Sequence, residues 1–185
     1  MDCPTHPVLE LIKKMKSILI LAAMGGLAAA SSAQSLESPT NLAIRLGIHF
    51  PFDENVRDAS GNLVNVGVDF FLQRSLLKGE RTESYFSVDW LSKSGNGDKG
   101  NIFPILINQR WYSPQATGDE NRTYFHAGVG AALMDVGSSD TVLAARIGAG
   151  VEFSKHLFGE ANFLITGDAD GYRGTGIGLQ LGYRF

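Results

Sequence analysis

The chain has 185 residues, the size of one domain, and its 44% hydrophobic and 19% charged residues exclude a disordered polymer. A formal net charge of -3 and a pI near 5.8 exclude the basic footprint of a nucleic-acid-binding protein. The 22 glycines are unusual, because strands accept glycine chiefly where other backbone or side chains crowd against it.

The first segment reads as a targeting signal. Lys13, Lys14 and Lys16 precede the apolar run Ile18 to Ala30, which closes with Ser31-Ser32-Ala33 before Gln34. A charged start, a short apolar centre and a small-residue cleavage site predict a helical secretory signal peptide over 1–33, and the run is short for a transmembrane helix. Met15 opens a cleaner signal of its own, which makes residues 1–14 an upstream extension if translation begins there. Residues 34–40 form a short lead. The lone Cys3 lies before the apolar run, so the chain from Gln34 has no cysteine. Export without disulfides fits a bacterial periplasm or outer membrane and argues against a small stapled secreted domain.

From Asn41 to Phe185 a two-residue rhythm recurs between turn-rich clusters of Gly, Asp, Asn and Ser. Leu42, Ile44, Leu46, Ile48 and Phe50 alternate with Ala43, Arg45, Gly47 and His49; a helix would scatter the five apolar residues around its circumference, so this is a strand. Val64, Val66, Val68, Phe70 and Leu72 alternate with Asn65, Gly67, Asp69, Phe71 and Gln73, and Phe86, Val88 and Trp90 with Tyr85, Ser87 and Asp89. The fourth run, NIFPILINQRWY, places Asn108 and Arg110 on one face and Phe103, Ile105, Ile107 and Trp111 on the other; Pro104 speaks against a deeply paired position. Phe125 to Leu133, Leu143 to Phe153 and Leu157 to Thr166 follow the same rule, and the eighth run is GIGLQLGYRF. Eight strands of about nine to eleven residues have the length that a tilted strand needs to cross a bilayer.

The segments PFDENVRDASGN, SKSGNGDKGN, DVGSSDT and GDADGYRG, after the odd-numbered strands, read as polar loops gathered at one end, with YSPQATGDENR a long exception at the other. Alternation alone leaves two architectures open: a water-soluble barrel or sandwich with its apolar face inside, or a membrane barrel with that face in lipid. The polar face favours the second. Lys78, Lys93, Lys99 and Lys155 all fall in connecting segments, whereas the polar face carries glycine and a near-balanced charge set. Arg45, Arg110, Arg146 and Arg184 stand against Asp69, Asp89, Glu152 and Glu160, with Glu83 a further candidate. Such groups suit the crowded inside of a narrow barrel, where each ion must be paired. Phe50, Trp90, Trp111, Tyr124, Phe153, Tyr183 and Phe185 near strand ends fit interfacial aromatic girdles.

With its signal, eight alternating strands and the final LQLGYRF, the chain resembles the small outer-membrane β-barrels of Gram-negative bacteria, of the OmpA-transmembrane and OmpX type. The resemblance implies an all-β fold, an eight-stranded antiparallel up-and-down transmembrane barrel, over residues 41–185. It also implies that Leu179, Leu181, Tyr183 and Phe185 form the signal read by the barrel assembly machinery. Outer-membrane lipid and lipopolysaccharide are then the expected surroundings, with no nucleic acid among the partners and no cofactor or metal. No peptidoglycan-binding domain is implied.

Catalysis in such a barrel would need a nucleophile and base within hydrogen-bond reach near the rim. His49 and His126 begin from opposite ends of their strands, His156 is in a turn, and no His-x-Ser cluster is present. Asp168-Ala-Asp170-Gly171 has part of a calcium-loop pattern without its remaining ligands and reads as a solvated loop. The expected role is structural or interactive at the cell surface; a narrow channel or small-molecule carrier is the alternative, and a lipid-modifying enzyme a third.

Overall fold

The computed structural model describes residues 41–77, 79, 81–93, 100–114, 121–136 and 138–185; the expected signal peptide and lead lie outside the described residues. Strands β1 (Leu42–Pro51), β2 (Leu63–Phe71), β3 (Thr82–Lys93), β4 (Asn101–Tyr112), β5 (Arg122–Val136), β6 (Ser138–Glu152), β7 (Leu157–Thr166) and β8 (Gly176–Arg184) are joined in chain order. Each pairs antiparallel with the next, and β8 pairs with β1 from Ala43↔Arg184 to Pro51↔Gly176, so the sheet is closed and up-and-down. Closure leaves no sheet edge at the seam, the condition for a sheet to stand in hydrocarbon.

The period-2 pattern puts the apolar set outside. Leu46 and Val129 are each 62% exposed and Leu143 82%, and Ile147, Leu179 and Leu181 are likewise exposed. Inside, Arg45 is 1% exposed, and Arg110, Asp69 and Asp89 are as deeply buried. This is the inverse of a water-soluble barrel, whose greasy side chains gather at the centre. Trp111 stacks on Phe125 at 4.8 Å between centroids on the outer face. Tyr124 is a correction: the girdle position expected of it is in fact a lumen position, 2% exposed, because it shares the inward phase of His126.

The lumen has two zones. Toward the β1–β2 loop it is apolar: Leu63, Leu91, Ile102, Leu106, Met134, Val136 and Leu164 pack together. Toward the end holding Leu42 and Arg184 it is charged and aromatic. The β1–β2 segment also departs from the expected plain loop, since it contains helix α1 (Glu54–Ser60). Asp53 caps its start, its carboxylate accepting from the Val56 N–H at 3.1 Å, and Gly61 ends it at φ 63°, a left-handed turn that glycine takes without strain. Val56 is fully buried and Ala59 packs on the apolar zone. Lys93, which the structure places at the end of β3 rather than in a connector, donates to the Ala59 carbonyl at 3.0 Å. Asn55 Nδ2 donates to the Gly171 carbonyl at 2.8 Å, tying α1 to the β7–β8 loop. The helix is therefore a fastened lid.

Two further departures have local causes. DVGSSDT is hairpin rather than loop: β5 runs to Val136 and β6 starts at Ser138, with Val136↔Ser138 paired. Pro104 does occupy a paired position, opposite Ala132 on β5, but the β3–β4 register passes from Val88↔Ile105 to Leu91↔Ile102 without pairing Asp89 or Trp90. The missing proline N–H is accommodated by a break in one ladder while the other runs on.

Candidate functional site

The charged zone of the lumen is the chemically distinctive part of the molecule. Arg45, on β1, holds its guanidinium against three carboxylates: Asp69 at 2.9 Å, Asp89 at 3.0 Å and Glu160 at 3.2 Å; it also donates to Gln180 Oε1. Arg146 reaches the same Asp89 at 2.8 Å, Ser87 Oγ at 2.7 Å and Asn108 Oδ1 at 3.3 Å. Seven strands, β1 to β4 and β6 to β8, thus send side chains to one centre.

A second tier lies below it. The Arg110 guanidinium sits over the Tyr124 ring at 3.9 Å and within 5.3 Å of the rings of Phe71, Tyr85 and Phe158. It approaches Glu152 at 3.4 Å and Glu160 at 3.8 Å, and Tyr124 donates to Glu160 at 3.1 Å. Cation–π contact with desolvated rings compensates a guanidinium that hydrogen bonds serve only in part. At the rim, Arg122 Nε donates to Glu152 at 2.8 Å, the Tyr112 hydroxyl lies 2.7 Å from Glu152 and 2.8 Å from Glu83 with one proton to give to either, and Arg184 meets Glu83 at 3.2 Å.

All eight residues singled out as a lumen set, Arg45, Asp69, Asp89, Arg110, Arg146, Glu152, Glu160 and Arg184, are in this assembly, and so is Glu83. Sequence reasoning missed Arg122, which precedes the clean alternation of its strand, and the uncharged Tyr112, Tyr124 and Gln180. With Arg122 added, five arginines face five carboxylates among the described residues.

Glycines make room for the assembly. A Cβ on Gly67 would lie 2.4 Å from Asp89 Oδ1, and one on Gly128 2.1 Å from Asn108 Oδ1. One on Gly150 would lie 2.3 Å from Tyr124 Cζ, and one on Gly182 2.1 Å from Phe158 Cζ. Each of these glycines is the register partner of the side chain that covers it. A cavity of about 10 Å³, bordered by His49, Asn65, Asp89, Arg146 and Asn162, has room for about one water molecule.

The described histidines lie against carbonyl or carboxylate oxygens. His49 Nε2 lies 3.0 Å from the Gly174 carbonyl, His156 Nδ1 2.7 Å from the Arg184 carbonyl, and His126 faces Glu160 at 3.8 Å. Among the described residues no group of three His, Cys, Asp or Glu side chains is placed to hold a metal ion. In the β7–β8 loop, Asp168 accepts from the Gly171 N–H at 2.7 Å and from Arg173 at 3.1 Å. That N–H, and then the guanidinium, hold its carboxyl below the usual carboxylate range. Both oxygens close a turn.

Leu179, Leu181 and Tyr183 face outward on β8, and the Phe185 N–H donates to the Leu42 carbonyl at 3.1 Å beside Tyr183, with ring centroids 5.2 Å apart.

No family model matches the chain, and no curated protein matches it in sequence. Solved structures do match its shape. The outer-membrane enzyme PagL is similar at 15% identity with a TM-score of 0.58, over 77% of this chain and 98% of that one. Neisserial surface protein A, NspA, is similar at 11% identity with a TM-score of 0.51, over 77% of this chain and 93% of that one. The chain therefore has the fold of the small eight-stranded outer-membrane barrels, a fold that carries an enzyme in one of these structures and a surface protein in the other.

Proposed function

We propose that the protein is a closed, non-conducting barrel of the bacterial outer membrane, with a structural or surface-interaction role and no catalysis. The observation that carries this reading is the filled lumen, in which an apolar layer under a fastened helix stands in series with a layer of interlocked ion pairs. A channel or carrier needs a continuous wet path, and a barrel of eight strands encloses room only for its own side chains. The exposed apolar belt supports a lipid environment, with phospholipid and lipopolysaccharide as its contacts.

Outer-membrane fractionation with heat-modifiable gel mobility, followed by planar-bilayer recording, tests the reading. The expected result is a compact unboiled species in the outer membrane that gives no conductance steps. Lipid A and phospholipid incubated with this species are expected to return unaltered by mass spectrometry. Stepwise conductance or a shortened acyl inventory would reject the proposal.

Leu179, Leu181, Tyr183 and Phe185 serve the same reading as the strand presented to the barrel assembly machinery. Phe185→Ala is expected to lower the yield of heat-modifiable protein while leaving the exported amount unchanged; equal folded yield would count against that role.

A further inference from the structure

On the outer wall, two polar residues interrupt the apolar belt. Ser84 on β3 and Gln109 on β4 are register partners, and both have the outward phase of Phe86, Ile107 and Trp111. Facing hydrocarbon, their hydroxyl and amide would each be costly. Yet Ser84 is fully buried and Gln109 nearly so.

What covers them is the chain after β2. Leu72 N–H donates to the Ser84 carbonyl at 2.9 Å, and Leu76 N–H donates to Ser84 Oγ at 2.8 Å. Gln109 Nε2 donates to Ser75 Oγ at 2.9 Å, and Ser84 Oγ donates to Gln109 Oε1. Thr82 Oγ1 lies 3.2 Å from the Leu77 carbonyl oxygen and 3.1 Å from that of Gly79, either of which can take its one proton, and the Tyr112 N–H donates to the Arg81 carbonyl at 3.0 Å. The described residues 72–77 are thus fastened against the barrel exterior at the end where β1 begins and β8 finishes. In place of the polar pair the segment presents Leu76, 59% exposed, and Leu77, 55% exposed, and Phe70, Leu72 and Phe86 of the same β2–β3 hairpin are exposed as well. Arg74 and Arg81 flank these leucines, exposed and without an ion pair among the described residues.

We propose that this segment is a lipid-interface anchor. Leu76 and Leu77 enter the acyl region of the glycerophospholipid leaflet, and Arg74 and Arg81 take its phosphates. The proposal rests on the membrane reading above. An exported chain inserting from the periplasm leaves both ends of an even-stranded barrel on that side, where the leaflet is glycerophospholipid. Apolar continuity with the belt and cationic flanks identify the occupant, because leucines with arginines beside them match the acyl-to-phosphate boundary and not bulk water.

The test uses the full chain with Cys3→Ser, which removes its one cysteine, and an environment-sensitive fluorophore on Leu77→Cys, with Leu76→Cys as the second site. Val129→Cys, on the mid-belt, is the control. In phosphatidylglycerol vesicles the Leu77 probe is expected to emit blue-shifted and to lose most of its intensity to a nitroxide placed high on the phospholipid acyl chain. A water-like spectrum at both loop sites, with the Val129 probe quenched, overturns the anchor and leaves the membrane barrel standing. Water-like spectra at all three overturn both. In asymmetric membranes, quenching only by nitroxide carried on lipopolysaccharide overturns the leaflet assignment. Arg74→Gln with Arg81→Gln is expected to abolish any enrichment of phosphatidylglycerol over phosphatidylcholine in co-purified lipid; an unchanged ratio overturns the phosphate contacts.

Discussion

Replacing Arg45 with methionine is expected to destabilise the barrel by about 3–5 kcal/mol, the range for stripping a buried ion of its partner. Three carboxylates, Asp69, Asp89 and Glu160, converge on this one guanidinium inside a wall with no solvent access. Methionine fills similar volume, so the loss is electrostatic rather than steric. Arg146 still reaches Asp89, and Arg110 approaches Glu160 at 3.8 Å, but Asp69 loses the only guanidinium within 4 Å among the described residues. The measurement is urea unfolding in lipid vesicles, followed by the unboiled-to-boiled gel shift. Arg45→Met combined with Asp69→Asn is expected to be more stable than Arg45→Met alone, because the second change removes the orphaned charge. Equal stabilities would mean that Asp69 is neutralised by other means and that the pairing is not what holds the tier together.

Gly150→Val is the second change with a large expected effect, about 3 kcal/mol, at the upper end of the overpacking range. The new Cβ would meet the Tyr124 ring at 2.3 Å and the Gly159 carbonyl oxygen at 2.8 Å. Tyr124 has little freedom to retreat: its hydroxyl is bonded to Glu160 and its face carries Arg110. The adjacent Ala149→Val, on the outer face of the same strand, is the control and should be nearly neutral. Tyr124→Ala should restore part of the stability of Gly150→Val by vacating the space, though not the hydrogen bond. If both valine variants fold alike, the glycine is not serving as the seat of the ring.

Most of the barrel was legible because one physical rule governs it: a wall one residue thick separates lipid from lumen, and alternation records which residues face which side. Arg45, Asp69, Asp89 and Arg146 could be assigned inward because a charge in the middle of an apolar strand has nowhere else to go. The apolar zone of the lumen was not legible. On β4, Ile102 and Leu106 point inward while Phe103, Ile105 and Ile107 point outward, so both faces are greasy and alternation carries no contrast. Leu63, Leu91 and Leu164 sit near strand ends, outside the cleanest stretches of the pattern. Tyr124 was misplaced for a related reason, since an aromatic residue near a strand end suits a lipid interface and a cation–π seat equally well. Helix α1 is only two turns long, too short for helical periodicity to register; its buried Val56 looked like a single residue in a polar loop.

The lid has a consequence for the order of events during biogenesis. Its attachments come from three places in the chain: Lys93 on β3, Ser60 lodged where a Cβ on Gly100 would lie 1.9 Å from its hydroxyl, and the Gly171 carbonyl late in the sequence. Phe52, just before it, is also bonded to Thr175. An N-terminal hairpin waiting for its C-terminal mate therefore has no finished seat for the helix. The full set of attachments exists only once the first and final strands have met, and a protease that cuts at Arg57 is expected to cleave stalled molecules faster than completed ones.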